Sequence, residues 1–192
     1  DAVYELGNNY FEGKGVEQNY QKAIELYLES SELGNSNAMF ALGNCYYDGK
    51  GVEQKYSKAF EFYEKSYKLG NKSAALNIGI CYCYGNGVTM NLPKALEFYE
   101  ESIKHGNITG YYYLGLFYYS KDYPKAIESF EKGASFGNTK SMELLIDELE
   151  NGKIPKPNYS KYVEYCQILR KNGNLKAINL LGDLYKEGKG VE

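Results

Sequence analysis

Five Lys-x-x-Glu pairs carry the residue types of an acid/base site: Lys22/Glu25, Lys58/Glu61, Lys94/Glu97, Lys125/Glu128 and Lys161/Glu164. Lysine and a carboxylate can both move protons in a reaction. On a helix, however, the same spacing is an ordinary i,i+3 surface pair worth about 0.2–0.5 kcal/mol. One reaction does not need the pair at every turn of a pattern, so these pairs read as helix surface. Gly-Lys-Gly at 49–51 and 188–190 suggests a phosphate cradle. A phosphate loop follows a strand and reads G-x-x-x-x-G-K-[ST]. Both stretches follow a helical pattern and lack the Ser/Thr, so they read as helix stops. Cys81-x-Cys83 on a helix points its thiols apart, and Cys45 and Cys166 do not complete a zinc set of four ligands. His105 is the only histidine, which removes most His-based catalytic and metal sites. No catalytic residue, metal or cofactor is expected, and hence no enzyme.

The totals narrow the partners. The chain has 192 residues and a net charge of −3, with Arg170 its only arginine and its lysines scattered among acids. A nucleic-acid binder concentrates positive charge, so none is expected. No apolar run is long enough to span a bilayer, and no signal-peptide pattern opens the chain.

What positions these residues is a repeat. Gly34, Gly70, Gly106, Gly137 and Gly173 are each followed by Asn, at steps of 36, 36, 31 and 36 residues. A second frame agrees: Leu42-Gly43-x-x-Tyr46, Ile78-Gly79-x-x-Tyr82, Leu114-Gly115-x-x-Tyr118 and Leu181-Gly182-x-x-Tyr185. Such periods mark stacked supersecondary units. Each unit predicts two helices. The first ends at a glycine such as Gly49, and Val52 packs back on the core. The second starts near Ser57, Pro93, Pro124 or Ser160 and ends at the Gly-Asn pair. The unit from Tyr111 to Gly137 lacks the Gly-x-Gly-Val segment and joins its helices through Ser120–Tyr123. Gly43, Gly79 and Gly115 allow close approach of the first helix. Ala59, Ala95 and Ala126 do so for the second, and Tyr63, Tyr99 and Phe130 fill the space between.

The pattern A-x-x-x-L-G-x-x-Y-x-x-G-x-G-V followed by K-A-x-E-x-Y resembles Sel1-like repeats, relatives of tetratricopeptide repeats; Ala38–Gly70 is the closest copy. The resemblance implies an all-α, right-handed α-α superhelix, a solenoid of helix pairs. It covers a single array over 1–192, in units of roughly 1–37, 38–73, 74–109, 110–140 and 141–176, with a truncated sixth at 177–192. Residues 139–170 keep the spacing but lose the signature. Because the chain stops on GKGVE, it is expected to be a fragment of a longer protein. Secreted bacterial members staple each unit with a cysteine pair, whereas Ala38 and Ser66 stand at such positions here. All four cysteines are therefore expected to be buried free thiols, which places the protein in the cytoplasm. The alternative is the secretory route, where the sequons at Asn71, Asn107 and Asn158 would matter.

The resemblance also implies that the first helices line a concave groove. Carried over by position, its residues are Tyr4, Asn8 and Phe11; Phe40, Asn44 and Tyr47; Leu76, Ile80, Cys83 and Tyr84; Tyr112, Leu116 and Tyr119; then the acidic stripe Glu143, Asp147 and Glu150; and Asn179, Asp183 and Lys186. The rings look dispensable to the core, and tyrosine suits recognition. Asn8 and Asn44 could hydrogen-bond a ligand backbone. The expected function is an adaptor or scaffold module that binds a protein or peptide segment with apolar and basic residues. The rivals are an assembly module working through its convex face or ends, within a larger assembly, and a secreted carbohydrate or cell-wall binder.

Overall fold

The structure, a computed structural model, describes residues 1–190; Val191 and Glu192 of the last GKGVE lie outside the described residues. Contacts divide the chain into two compact units, Asp1–Asn107 and from Ile108 onward. The first holds α1 (Ala2–Glu12), α2 (Tyr20–Glu32), α3 (Ser36–Asp48), α4 (Tyr56–Lys68), α5 (Ala74–Tyr84) and α6 (Leu92–Lys104). The second holds α7 (Thr109–Tyr118), α8 (Tyr123–Ser135), α9 (Thr139–Glu150), α10 (Tyr159–Lys171) and α11 (Leu175–Glu187). The described residues form no strand, and the architecture is the all-α solenoid of helix pairs that the repeat predicts.

Capping explains why the helices begin and end where they do. At each Gly-Asn pair the glycine is left-handed, as at Gly34 with φ 85° and Gly70 with φ 93°. The asparagine amide then returns to a carbonyl one turn back: Asn35 to Ser30 at 3.1 Å, Asn138 to Gly133 at 2.9 Å and Asn174 to Leu169 at 3.1 Å. This is the Schellman stop. The same asparagine starts the next helix, because its side chain accepts from Ala38 N, Ser141 N or Ala177 N in α3, α9 and α11. At these three junctions one dipeptide ends one helix and caps the next, whereas α5 and α7 have Ser73 and Ile108 at the N-cap with no side-chain cap from them. The second helices are capped by Asn19, Asn91, Asp122 and Asn158; Lys55 stands at that place in α4 and makes no side-chain cap.

Inside each pair the expected close packing is present. A Cβ added at Gly7 would lie 2.7 Å from Tyr27, one at Gly43 would lie 2.5 Å from Tyr63, and one at Gly79 would lie 2.8 Å from Tyr99. Phe130 fills the same place over Gly115, whereas a Cβ added at Gly182 would meet nothing outside its own helix backbone within 4 Å among the described residues. Val52 packs against the core of α2 and α3 as expected. In three loops the second glycine seats the loop on the preceding pair: Gly51 meets Tyr20 and Ile24, Gly87 meets the Tyr56 backbone, and Gly190 meets the Tyr159 backbone. Gly15, in the first loop, meets nothing within 4 Å among the described residues.

The Lys-x-x-Glu pairs are not paired with each other as expected. Lys22, Lys58 and Lys94 place their ammonium groups 4.7, 4.9 and 5.0 Å from the ring centres of Tyr10, Tyr46 and Tyr82. Lys125 does the same over Tyr118 at 5.4 Å. Each such contact stabilises by about 0.5–1 kcal/mol at an exposed site. Glu61 and Glu128 pair one turn onward, with Lys65 at 2.6 Å and Lys132 at 2.8 Å. The repeated lysine therefore joins the second helix to the tyrosine of the first.

In the second unit α9 and α10 pack with aliphatic and aromatic side chains, among them Met142, Leu145, Ile146, Tyr162 and Leu169. At the α8–α9 contact the small residues are exchanged between helices. Ser30, Ser66 and Ser102 are buried near the ends of α2, α4 and α6, whereas α8 has Gly133 there and the serine, Ser141, comes from α9. A Cβ on Gly133 would collide with the Ser141 hydroxyl.

All four cysteines are free. Cys45, Cys81 and Cys166 are buried, and burial pushes their thiols up to about 11, 12 and 11. Cys83 is only half-buried, which corrects the expectation for that residue: it lies one turn beyond the buried Gly79, toward the exposed end of α5. Ser66, one of the two positions named above for a staple, is buried and donates to the Ser36 carbonyl at 2.7 Å.

Candidate functional site

The first helices of the Asp1–Asn107 unit carry the aromatic residues expected to face a partner. In α1, Tyr4 and Phe11 flank the buried Tyr27, with ring centres at 5.8 and 6.3 Å. In α3, Phe40 and Tyr47 flank Tyr63 at 5.9 and 6.4 Å. Each ring pair is half-buried and rests on the core tyrosine beneath it. The expectation that the core can do without these rings is therefore corrected. They lie against Tyr27 and Tyr63, which sit over Gly7 and Gly43. Tyr84 at the end of α5 is different, with 59% of its surface exposed. Leu76 is buried and Ile80 and Cys83 are half-buried, so the middle of α5 is apolar and low.

Asn8 and Asn44 are tied to the core. The Tyr27 hydroxyl donates to Asn8 Oδ1 at 2.8 Å, and the Tyr63 hydroxyl donates to Asn44 Oδ1 at 2.9 Å. Asn77 Nδ2 donates to the same Asn44 oxygen at 3.0 Å. Their carbonyl ends are thus occupied, which the sequence did not indicate. Tyr47 is also engaged at its tip, where Asn86 Nδ2 donates to its oxygen at 2.9 Å.

In the unit from Ile108, Tyr112 rests on Phe130 at 6.0 Å and Tyr119 meets Tyr123 edge-on at 5.7 Å. Both tyrosine tips at the short α7–α8 joint are taken up by a residue that pattern reading missed. Glu148 is 5% exposed and accepts from Tyr119 at 2.8 Å, Tyr123 at 2.6 Å and Lys153 Nζ at 3.2 Å. Burial raises its carboxyl pKa, but the hydrogen bonds from Tyr123, Tyr119 and Lys153 outweigh that and hold it below the ordinary glutamate value of 4.5. Only the Tyr119-x-x-x-Tyr123 spacing at the deleted loop could have pointed to it.

The acidic stripe is partly neutralised. Asn174 Nδ2 donates to Glu143 at 3.1 Å, and Lys176 pairs with Asp147 at 2.8 Å. Glu150 is exposed and borders a cleft of about 430 Å³ between α9 and α11. Leu149, Leu180, Leu184 and Tyr159 supply its apolar lining; Asp183, Glu187 and Lys189 complete it. Lys189 pairs with Glu187 at 2.7 Å. Asn179 and Lys186 are exposed on α11. Among the described residues no cluster of three or more His, Cys, Asp or Glu could hold a metal ion, and no helix is long and apolar enough to cross a membrane.

The comparisons with known proteins agree with this architecture. The Sel1 repeat pattern matches residues 1–35, 36–71, 72–107, 109–138 and 175–192, passing over the divergent α9–α10 pair. A Sel1 repeat protein from Oxalobacter formigenes superimposes with a TM-score of 0.82 at 25% identity, covering 98% of this chain and 79% of that one. An immunity protein from Pseudomonas aeruginosa gives a TM-score of 0.54 at 26% identity, over 73% of this chain and 54% of that one. Human "Protein sel-1 homolog 2" is 38% identical over 63 residues, a third of this chain (33%) and 9% of that protein. The chain therefore spans about a tenth of the length of this curated relative. Sel1 repeat proteins are generally protein-interaction modules. Glycine-seated rings, shared caps and lysine-covered tyrosines recur through both units, and with the pattern matched over most of its length the chain belongs to the Sel1 repeat family.

Proposed function

We propose that this chain binds a segment of a partner protein along the exposed faces of its first helices, without catalysis. The observation that carries this reading is the row of half-buried rings in α1 and α3, anchored beneath by Tyr27 and Tyr63 and continued by the exposed Tyr84. A ring held on one face loses little freedom when a partner covers the other, which favours binding. Apolar side chains of the partner suit this stretch. In the second unit the cleft with its leucine floor and Glu150 and Asp183 suits a Lys or Arg, whose stem would lie on the floor and whose head would meet the acids. The buried free thiols favour a reducing compartment such as the cytoplasm.

Tyr84→Ala and Glu150→Lys test this reading, because both residues are exposed and neither is packed in the core. Affinity capture from an extract of the native cell, with each variant's fold checked by circular dichroism, should show a partner retained by wild type and weakened about tenfold by the Tyr84 change. A partner held equally by wild type and both variants would move binding to the convex face or the ends and defeat the proposal.

A further inference from the structure

We propose that Tyr27 and Tyr63 are positioning residues for the first-helix surface. Each buried hydroxyl holds the oxygen of an asparagine amide inward, so that Nδ2 of Asn8 and Asn44 stands as an outward donor to a main-chain carbonyl of a bound extended polypeptide. This rests on the groove reading above and names which atoms of the ligand are recognised.

Three observations lead here. The first is that the oxygens are engaged: Asn8 Oδ1 accepts from Tyr27, and Asn44 Oδ1 accepts from both Tyr63 and Asn77. The amide oxygen and nitrogen diverge from one carbon, so turning the oxygen to the core turns the nitrogen away from it. An amide has two donors on its nitrogen, and no protein group accepts from Nδ2 of either asparagine among the described residues. The second is that the hydroxyls keep their protons under ordinary conditions and so stay able to donate. Burial raises the pKa of both tyrosines well above the usual tyrosine value. Nor can either ring swing aside, because it lies over Gly7 or Gly43 and between two flanking aromatics. The third is a restriction inside the chain: at the matching positions of the next two pairs Tyr99 has Ile80 as its first-helix partner and Phe130 has Leu116, so the amides are confined to the first two pairs. An unpaired carbonyl is what an extended peptide offers along its length, whatever its side chains, so two such donors one repeat apart would read backbone and not sequence.

The probe is a synthetic peptide chosen from a phage-displayed random dodecapeptide library selected on the wild-type chain. Binding is measured with wild type, with Tyr27→Phe/Tyr63→Phe and with Asn8→Asp/Asn44→Asp. The Phe variants keep the rings on their glycines and remove only the oxygens. They should bind the peptide about three- to tenfold more weakly, the loss expected for one or two hydrogen bonds. In the free protein the side-chain amide NMR signals of Asn8 and Asn44 should shift and broaden in the same variant, which a purely structural loss elsewhere would not do. Replacing single peptide amides by esters should weaken binding to wild type and have little further effect on the Phe variant. A peptide bound equally by wild type and both variants would leave the groove reading standing and overturn the positioning role. So would unchanged amide signals in the Phe variant. Failure of the wild type to select any peptide would instead count against the groove reading itself.

Discussion

In α3–α4 the two helices are joined by a loop whose glycines, Gly49 and Gly51, turn left-handed, the second seating on α2. In α7–α8 that loop is absent, and the joint is closed by Tyr119 and Tyr123 converging on the buried carboxylate of Glu148, with Lys153 beside it. The first joint rests on backbone shape, with an exposed Lys50–Asp48 pair beside it. The second depends on a charge taken out of water and satisfied by three donors. A shortened loop is thus tolerated because another set of contacts supplies closure, and the two regions should fail under different stresses.

The largest effect is expected from breaking the shape-dependent region. Gly43→Ala drives a Cβ into the Tyr63 ring, which is fixed by Phe40 and Tyr47 and cannot yield. It should cost about 2–3 kcal/mol, the upper part of the range for overpacking. The same change at Gly182, where the space is open, should stabilise by about 0.5–1 kcal/mol through helix propensity. Urea unfolding followed by circular dichroism reads both, and equal effects at the two glycines would refute the packing account.

Next comes the charge-dependent region. Glu148→Gln leaves the shape and weakens three hydrogen bonds, at a cost of about 1–2 kcal/mol at neutral pH. Because the folded carboxyl titrates below its unfolded value, its contribution is complete above the ordinary 4.5 and is lost as the pH falls through that value and then through the folded pKa. The gap between wild type and Glu148→Gln in a pH series of unfolding midpoints should therefore close on acidification, while the gap for Gly43→Ala should not.

The smallest effect sharpens the comparison among regular pairs. Lys55 has φ −147° and ψ 94°, nearly the angles of the capping Asn91 at −148° and 93°. Lys55→Asn should thus add the missing cap to α4 and raise stability by about 1 kcal/mol, measured by the same unfolding curves.

Much of this was legible in the chain. The Gly-Asn steps and the Leu-Gly-x-x-Tyr frame located every helix pair, because glycine conformation and close packing are local demands that leave a fixed spacing. The second role of the asparagine, as cap of the following helix, is also local and could have been seen from residue type. What the pattern could not supply were contacts between side chains far apart in sequence. Lys58 reaches Tyr46 and leaves Glu61 to Lys65; Asn44 turns its oxygen to Tyr63; Glu148 draws in Tyr119 and Tyr123. Each depends on which of several polar partners comes within reach, and periodicity is silent on that choice. The rings of α1 and α3 were misjudged for a related reason. Counting residues showed a core already supplied with apolar groups, but not that Tyr27 and Tyr63 would stand with flanks to cover.

The Gly-Asn junction carries a consequence for how such a chain can change over generations. Since one dipeptide closes a helix and opens the next, a block of DNA copied from one junction to the next encodes its own stop, its own start, its seating glycine and its lysine-covered ring. Unequal recombination between two such junctions adds or removes a whole working unit in frame with the fold. A crossover between non-equivalent points of two units would leave a helix without its cap or a ring without its glycine. The spelling of the repeat therefore also sets the register in which the gene can be cut and rejoined without loss.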